Sequence, residues 1–245
     1  VGRFYLPFGL NLQTDTHGTL LQLSNDRNFG YERDWYAGFW GSLTADFNYD
    51  AYYMLGSGYA VSFKGQEGLA GLRVSLADRY RTEYGVEAGL AAIYGRRLSE
   101  HAVMRSPSVA ATAGEDDVVS TVRAGLDARY TLPLPSGSLG FTAELSYGRD
   151  EFDAILTQLY QIEYLADRRQ WALSAQYRRF WQDIDAAGSS GHKTDASIIG
   201  EATWFFRNDL SNAFLHSVRL NVERRLERQM GPDETVVSLQ YYLYW

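Results

Sequence analysis

Arg73, Glu87, Arg123, Asp127, Arg129, Glu144, Arg178, Glu201, Arg219 and Glu223 lie in segments where polar and apolar residues alternate, always on the polar set. They carry both signs. A charge facing hydrocarbon is costly, so in an alternating membrane protein such residues turn inward. Two chemistries then fit. They can line a mixed-charge constriction that filters small ions and polar solutes, or neutralise one another and fill a narrow interior with ion pairs.

Other chemistry-bearing residues are few. The chain has four histidines, His17, His101, His192 and His216. An outer-membrane phospholipase needs His and Ser two apart on one strand face, plus an Asn. Here Ser217 follows His216 directly, on the opposite face, and residue 218 is Val. Asp183, Asp185, His192 and Asp195 fall in one stretch read as a connection. They could hold a metal, although solvated loop carboxylates are the preferred reading. There is no Gly-rich phosphate loop, HExxH or GxSxG motif. The expectation is no enzyme, no cofactor and no metal. A formal charge of −7 argues against nucleic acid as a partner, and a chain without cysteine needs no disulfide.

The elements that must position the charges are strands. Leu139, Phe141, Ala143, Leu145 and Tyr147 alternate with Gly140, Thr142, Glu144, Ser146 and Gly148, and residues 69–77, 118–132 and 215–223 repeat the pattern. Strict alternation over about ten residues marks a strand with one apolar and one polar face. About twelve such runs occur, near 1–8, 34–44, 48–58, 69–78, 84–96, 118–132, 138–149, 153–164, 170–182, 195–207, 214–227 and 235–245. Each has roughly the 9–11 residues of a tilted membrane strand, and no stretch approaches the ~18 apolar residues of a membrane helix. The expected fold is all-β: one domain over residues 1–245, an antiparallel transmembrane β-barrel of about twelve meandering strands.

Two regularities favour a barrel over a soluble sandwich. Connections near 45–47, 79–83, 133–137, 165–169 and 208–213 are short. The four longest, 9–33, 59–68, 97–117 and 183–194, all fall on the other side, together with 150–152 and 228–234. Outer-membrane barrels pair short periplasmic turns with longer outer loops in this way. Aromatics (15% of the chain) also sort to strand ends. Tyr49, Tyr130, Phe141, Trp171, Trp204, Phe206 and Trp245 lie at the turn side, and Trp35, Tyr94, Tyr147 and Trp181 at the loop side, as two interfacial girdles.

The last eleven residues end in an alternating apolar set, Val237, Leu239, Tyr241, Leu243 and Trp245. This resembles the C-terminal signature of bacterial outer-membrane barrels. The resemblance implies that Tyr241, Leu243 and Trp245 act as an assembly signal read by the barrel assembly machinery. At the other end, Val1-Gly2-Arg3-Phe4, Pro7-Phe8-Gly9, Glu32-Arg33-Asp34 and a hairpin closing on Gly56-Ser57-Gly58 resemble bacterial porins of the phosphate-selective type over residues 1–58. In that family the first strand leads into a loop that folds into the barrel and narrows it. Residues 9–33, with Asp15, His17, Asp26 and Arg27, correspond. Strands precede this segment in the family, which implies a native barrel of more than twelve strands. The rest of the chain departs from the family and has no dense lysine or arginine ladder.

Together these readings predict an integral protein of the bacterial outer membrane, a porin-like channel for small ions or polar solutes, contacting outer-membrane lipid and lipopolysaccharide. A homo-oligomer or a protein partner is compatible. The first alternative is a structural barrel that sheaths or anchors a partner such as an electron-carrier complex; the second is an outer-membrane enzyme. The acidic excess of the outer connections could attract cations, but solvated loops are the preferred reading.

Overall fold

A computed structural model describes residues 1–10, 21, 29, 33–58, 67–76, 85–99, 118–167, 170–186, 189–209, 214–227 and 234–244. The described residues form twelve strands. They are β1 (Gly2–Tyr5), β2 (Arg33–Ser42), β3 (Phe47–Met54), β4 (Gly68–Leu76), β5 (Gly85–Leu98) and β6 (Val118–Leu134). The second half comprises β7 (Gly137–Asp150), β8 (Asp153–Ala166), β9 (Trp171–Ala186), β10 (Ser189–Asp209), β11 (Phe214–Glu227) and β12 (Thr235–Tyr244). All lie in one sheet in chain order, each antiparallel to the next. Among the described residues no ladder joins β1 to β12.

The two faces of this sheet are inverted relative to a water-soluble protein. Phe39, Tyr94 and Leu239 are 77%, 73% and 76% exposed, and Leu126, Leu145, Leu173 and Leu220 share their face. The opposite face is buried and carries the charges among apolar residues, with Arg73 and Arg123 at 1% and 0%. Side chains on it meet across an intervening strand: Arg73 of β4 reaches Asp127 of β6, and Arg178 of β9 reaches Glu223 of β11. The described strands form one sheet, so this face loses solvent by curling on itself. The sheet is therefore barrel-like, with the charges inside.

The aromatics foreseen at strand ends lie on the outer face. Tyr130 pairs with Phe141 and Trp171 with Trp204 toward the turn side, and Trp35, Tyr94 and Tyr147 are exposed toward the other end. Trp245 is outside the described residues.

Three expectations need correction beside the strand expected over 48–58, which ends at Met54. The strand expected over 1–8 stops at Tyr5. Pro7 has no N–H to continue a ladder, Phe8 N donates to Leu6 O at 2.8 Å, and Gly9 takes φ 70°. Second, the connection expected at 183–194 is a continued ladder, with Ser189 to Thr194 paired to Ala186 to Trp181. This hairpin extends past β8, whose pairing begins at Ala154 opposite Asp183. Its polar sequence reads as loop, yet a ladder satisfied by its own backbone needs no apolar face. Third, β5, β6, β7 and β8 run one or two residues beyond the expected ends, which brings Arg97 and Asp150 out of the expected loops and into strands.

Candidate functional site

All the charges singled out from alternation lie on the inner face. Arg73, Glu87, Arg123, Asp127, Glu144, Arg178, Glu201, Arg219 and Glu223 are buried, and Arg129 is half-buried opposite Glu87. Side chains alternate strictly along a strand, so local sequence assigns them to this face; their partners depend on strand order and register.

At mid-height, Arg73 Nη2 lies 2.6 Å from Asp127 Oδ1, and its Nε donates to Oδ2 at 3.4 Å. The pair passes over Gly89 of β5, where a Cβ would come within 2.5 Å of Arg73 Nη2 and 2.7 Å of the Asp127 carboxylate. Toward the loop side, Asp150 collects Arg97 at 2.6 Å and Arg123 at 2.9 Å and accepts from the Thr121 hydroxyl. Arg97 also donates to Thr121 Oγ1 at 3.1 Å and to Phe29 O at 3.0 Å. Across the interior, Arg178 donates to Ser197 Oγ at 2.8 Å and lies 3.3 Å from Glu223, which Arg225 also approaches at 3.4 Å. Arg219 donates to Gln240 Oε1 at 3.2 Å and lies over the Tyr242 ring. Glu201 accepts from Thr203 Oγ1 at 3.5 Å. Neutral contacts join them, Gln176 to Gln161 at 3.0 Å and Ser146 to Thr157 at 2.6 Å.

Part of the interior is apolar. Leu6, Phe8, Phe29, Tyr52, Met54, Leu69, Ala91 and Ile93 form one buried cluster on the inner side of β3, β4 and β5. Leu6, Phe8 and Phe29 come from the connection between β1 and β2, so the chain turns inward directly after β1. Tyr52 OH donates to Pro7 O at 3.3 Å, Phe8 meets Phe29 edge-on at 5.4 Å, and Leu10 N donates to Glu144 Oε1 at 3.2 Å. The further constriction residues, Asp15, His17, Asp26 and Arg27, lie outside the described residues.

The segments carrying the N-terminal resemblance meet in space. Asp34 is fully buried; its Oδ2 accepts from Gly56 N at 2.6 Å and its Oδ1 from Gly58 N at 3.1 Å and Trp35 N at 2.8 Å. Gly56 and Gly58 take φ 74° and 66°, a backbone that side-chain-bearing residues rarely adopt. Sequence reasoning quoted both motifs but missed that one ties the other. It also missed Arg97 and Asp150, whose only signal was their position just outside alternating runs.

The alternative chemistries find no assembled site among the described residues. His216 packs between Phe206 and Tyr241, ring centroids 4.7 and 5.2 Å away, whereas Ser217 is fully buried on the inner face. Asp183 stands opposite His192, Asp185 opposite Ser190 and Asp195 opposite Phe180. His192 and Asp195 are three apart on one strand and so face opposite ways. Among the described residues no cluster of metal-ligating type occurs. Of the C-terminal residues expected to act as an assembly signal, Tyr241 and Leu243 lie on the exposed face.

No family model, curated protein or solved structure matches this chain. Its function is therefore argued from the site alone.

Proposed function

We propose that this protein spans the bacterial outer membrane as a β-barrel and passes small ions or polar solutes through a mixed-charge interior. The observation that carries the reading is the inversion of its faces: charged side chains are buried inside while leucines and aromatics form the outer surface. Water offers no reason for that arrangement, and a bilayer does, because a charge at mid-depth on the lipid face costs roughly 2–4 kcal/mol for Arg or Lys. The inward turn after β1 supports a narrowed path, since Leu6, Phe8 and Leu10 occupy interior volume.

The test is conductance in a planar bilayer. Purified protein is expected to give discrete single-channel currents. Shortening the chain between Asp15 and Asp26 is expected to raise their size. One observation favours a second reading, a structural barrel that holds a partner: interior charges are extensively matched, as in Arg73–Asp127, Arg97–Asp150 and Arg178–Glu223. Correctly folded protein that stays silent before and after the deletion would favour that scaffold.

A further inference from the structure

Glu144 and Asp127 are directly opposite in the β6–β7 ladder, on the same inner face. Two carboxylates in that relation repel. Asp127 is matched by Arg73. Glu144 accepts a hydrogen bond from a backbone amide, Leu10 N, of a segment 134 positions away in sequence. Two residues before Leu10, the Phe8 ring lies against Gly125 of β6; a Cβ at 125 would come within 2.7 Å of it. One residue earlier, Pro7 O accepts from Tyr52 OH. Three consecutive contacts thus run from β3 across to β7, and each uses a different chemistry: a phenol on a carbonyl, a ring on a bare backbone and a carboxylate on an amide.

We propose that Gly125 and Glu144 form a dock that holds residues 6–10 across the interior, so that Glu144 is a positioning residue for the channel and not a solute-contacting charge. The proposal rests on the channel reading for its effect on conductance, while the dock can be tested without it. The chain has no cysteine, so Leu10→Cys introduces a single thiol at a position only 5% exposed. In detergent-solubilised, folded full-length protein this thiol is expected to react slowly with a small polar maleimide. Adding Glu144→Ala should speed labelling roughly tenfold or more, the population change expected from losing one charge-assisted hydrogen bond. Adding Glu144→Gln should speed it much less, because the amide oxygen still accepts from Leu10 N, without the charge. Heat-modifiable gel mobility verifies folding in each case.

In bilayers, Glu144→Ala is expected to raise single-channel conductance and Glu144→Gln to leave it near the parent value. Equal labelling in the Ala and Gln variants would overturn the dock. So would equal shifts of reversal potential in both with conductance unchanged, the behaviour of a simple lining charge. A silent bilayer together with the expected labelling pattern would sink the channel reading and leave the dock standing.

Discussion

Gly89 shows how one missing side chain organises the interior. Arg73 and Asp127 sit on strands separated by β5, and a Cβ at 89 would push their side-chain ends from the positions of the 2.6 Å ion pair. Both side chains are almost wholly removed from solvent. Breaking a buried pair leaves an uncompensated charge and costs about 3–5 kcal/mol, whereas replacing both partners with apolar groups is often near neutral. Arg73→Leu or Asp127→Leu alone should therefore lower the urea midpoint of the detergent-folded protein clearly. The double variant should recover most of the loss. Additive losses in this double-mutant cycle would show that the two residues do not depend on each other. Asp34 belongs to the same class of interior fixture, since it holds the backbone of Gly56 and Gly58.

At the scale of elements, β12 combines a full ladder to β11 with an exposed apolar row. Its ten residues pair from Thr235 opposite Arg224 to Tyr244 opposite Leu215. Val237, Leu239, Tyr241 and Leu243 stand on the outer face. Trp245 continues this alternation in sequence. Removing Trp245, or replacing it with Ser, is expected to reduce the amount of folded protein in the outer membrane severalfold while leaving the conductance of what does assemble unchanged. Quantifying the heat-modifiable band in membrane fractions checks this, and normal levels would exclude the assembly role. The β9–β10 hairpin is the opposite kind of element. Its outer part pairs strand to strand beyond the β8 ladder, so a polar sequence there does not mean absence of strand.

For the whole molecule, the decisive property is that the outer face tolerates hydrocarbon and the inner face does not. Leu126 is half-exposed at the middle of β6, whereas Leu43 is 67% exposed at the end of β2. If the sheet spans a bilayer, Leu126→Arg should cost roughly 2–4 kcal/mol, and Leu43→Arg about 0–1 kcal/mol, because the penalty depends on depth. Urea unfolding of protein folded into lipid vesicles measures both. Equal, small effects at the two positions would count against a membrane-spanning sheet.

Sequence alone was sufficient for the all-β class, the twelve strands of the described residues and the assignment of every candidate interior charge to one face. These are local properties: a strand turns successive side chains to opposite faces, so alternation between Leu126 and Asp127, or Leu145 and Glu144, determines facing without any knowledge of neighbours. The tertiary structure decided what those charges touch. Arg73 finds Asp127 and Arg97 finds Asp150 across an intervening strand, a pairing set by strand order and register. It also decided that Leu6 to Leu10 leave the strand direction and pack inside, where Gly125 gives Phe8 room and Glu144 receives Leu10 N. Pro7 announced the end of the ladder locally, but the direction taken afterwards depends on surfaces more than a hundred residues away, and no local pattern encodes that.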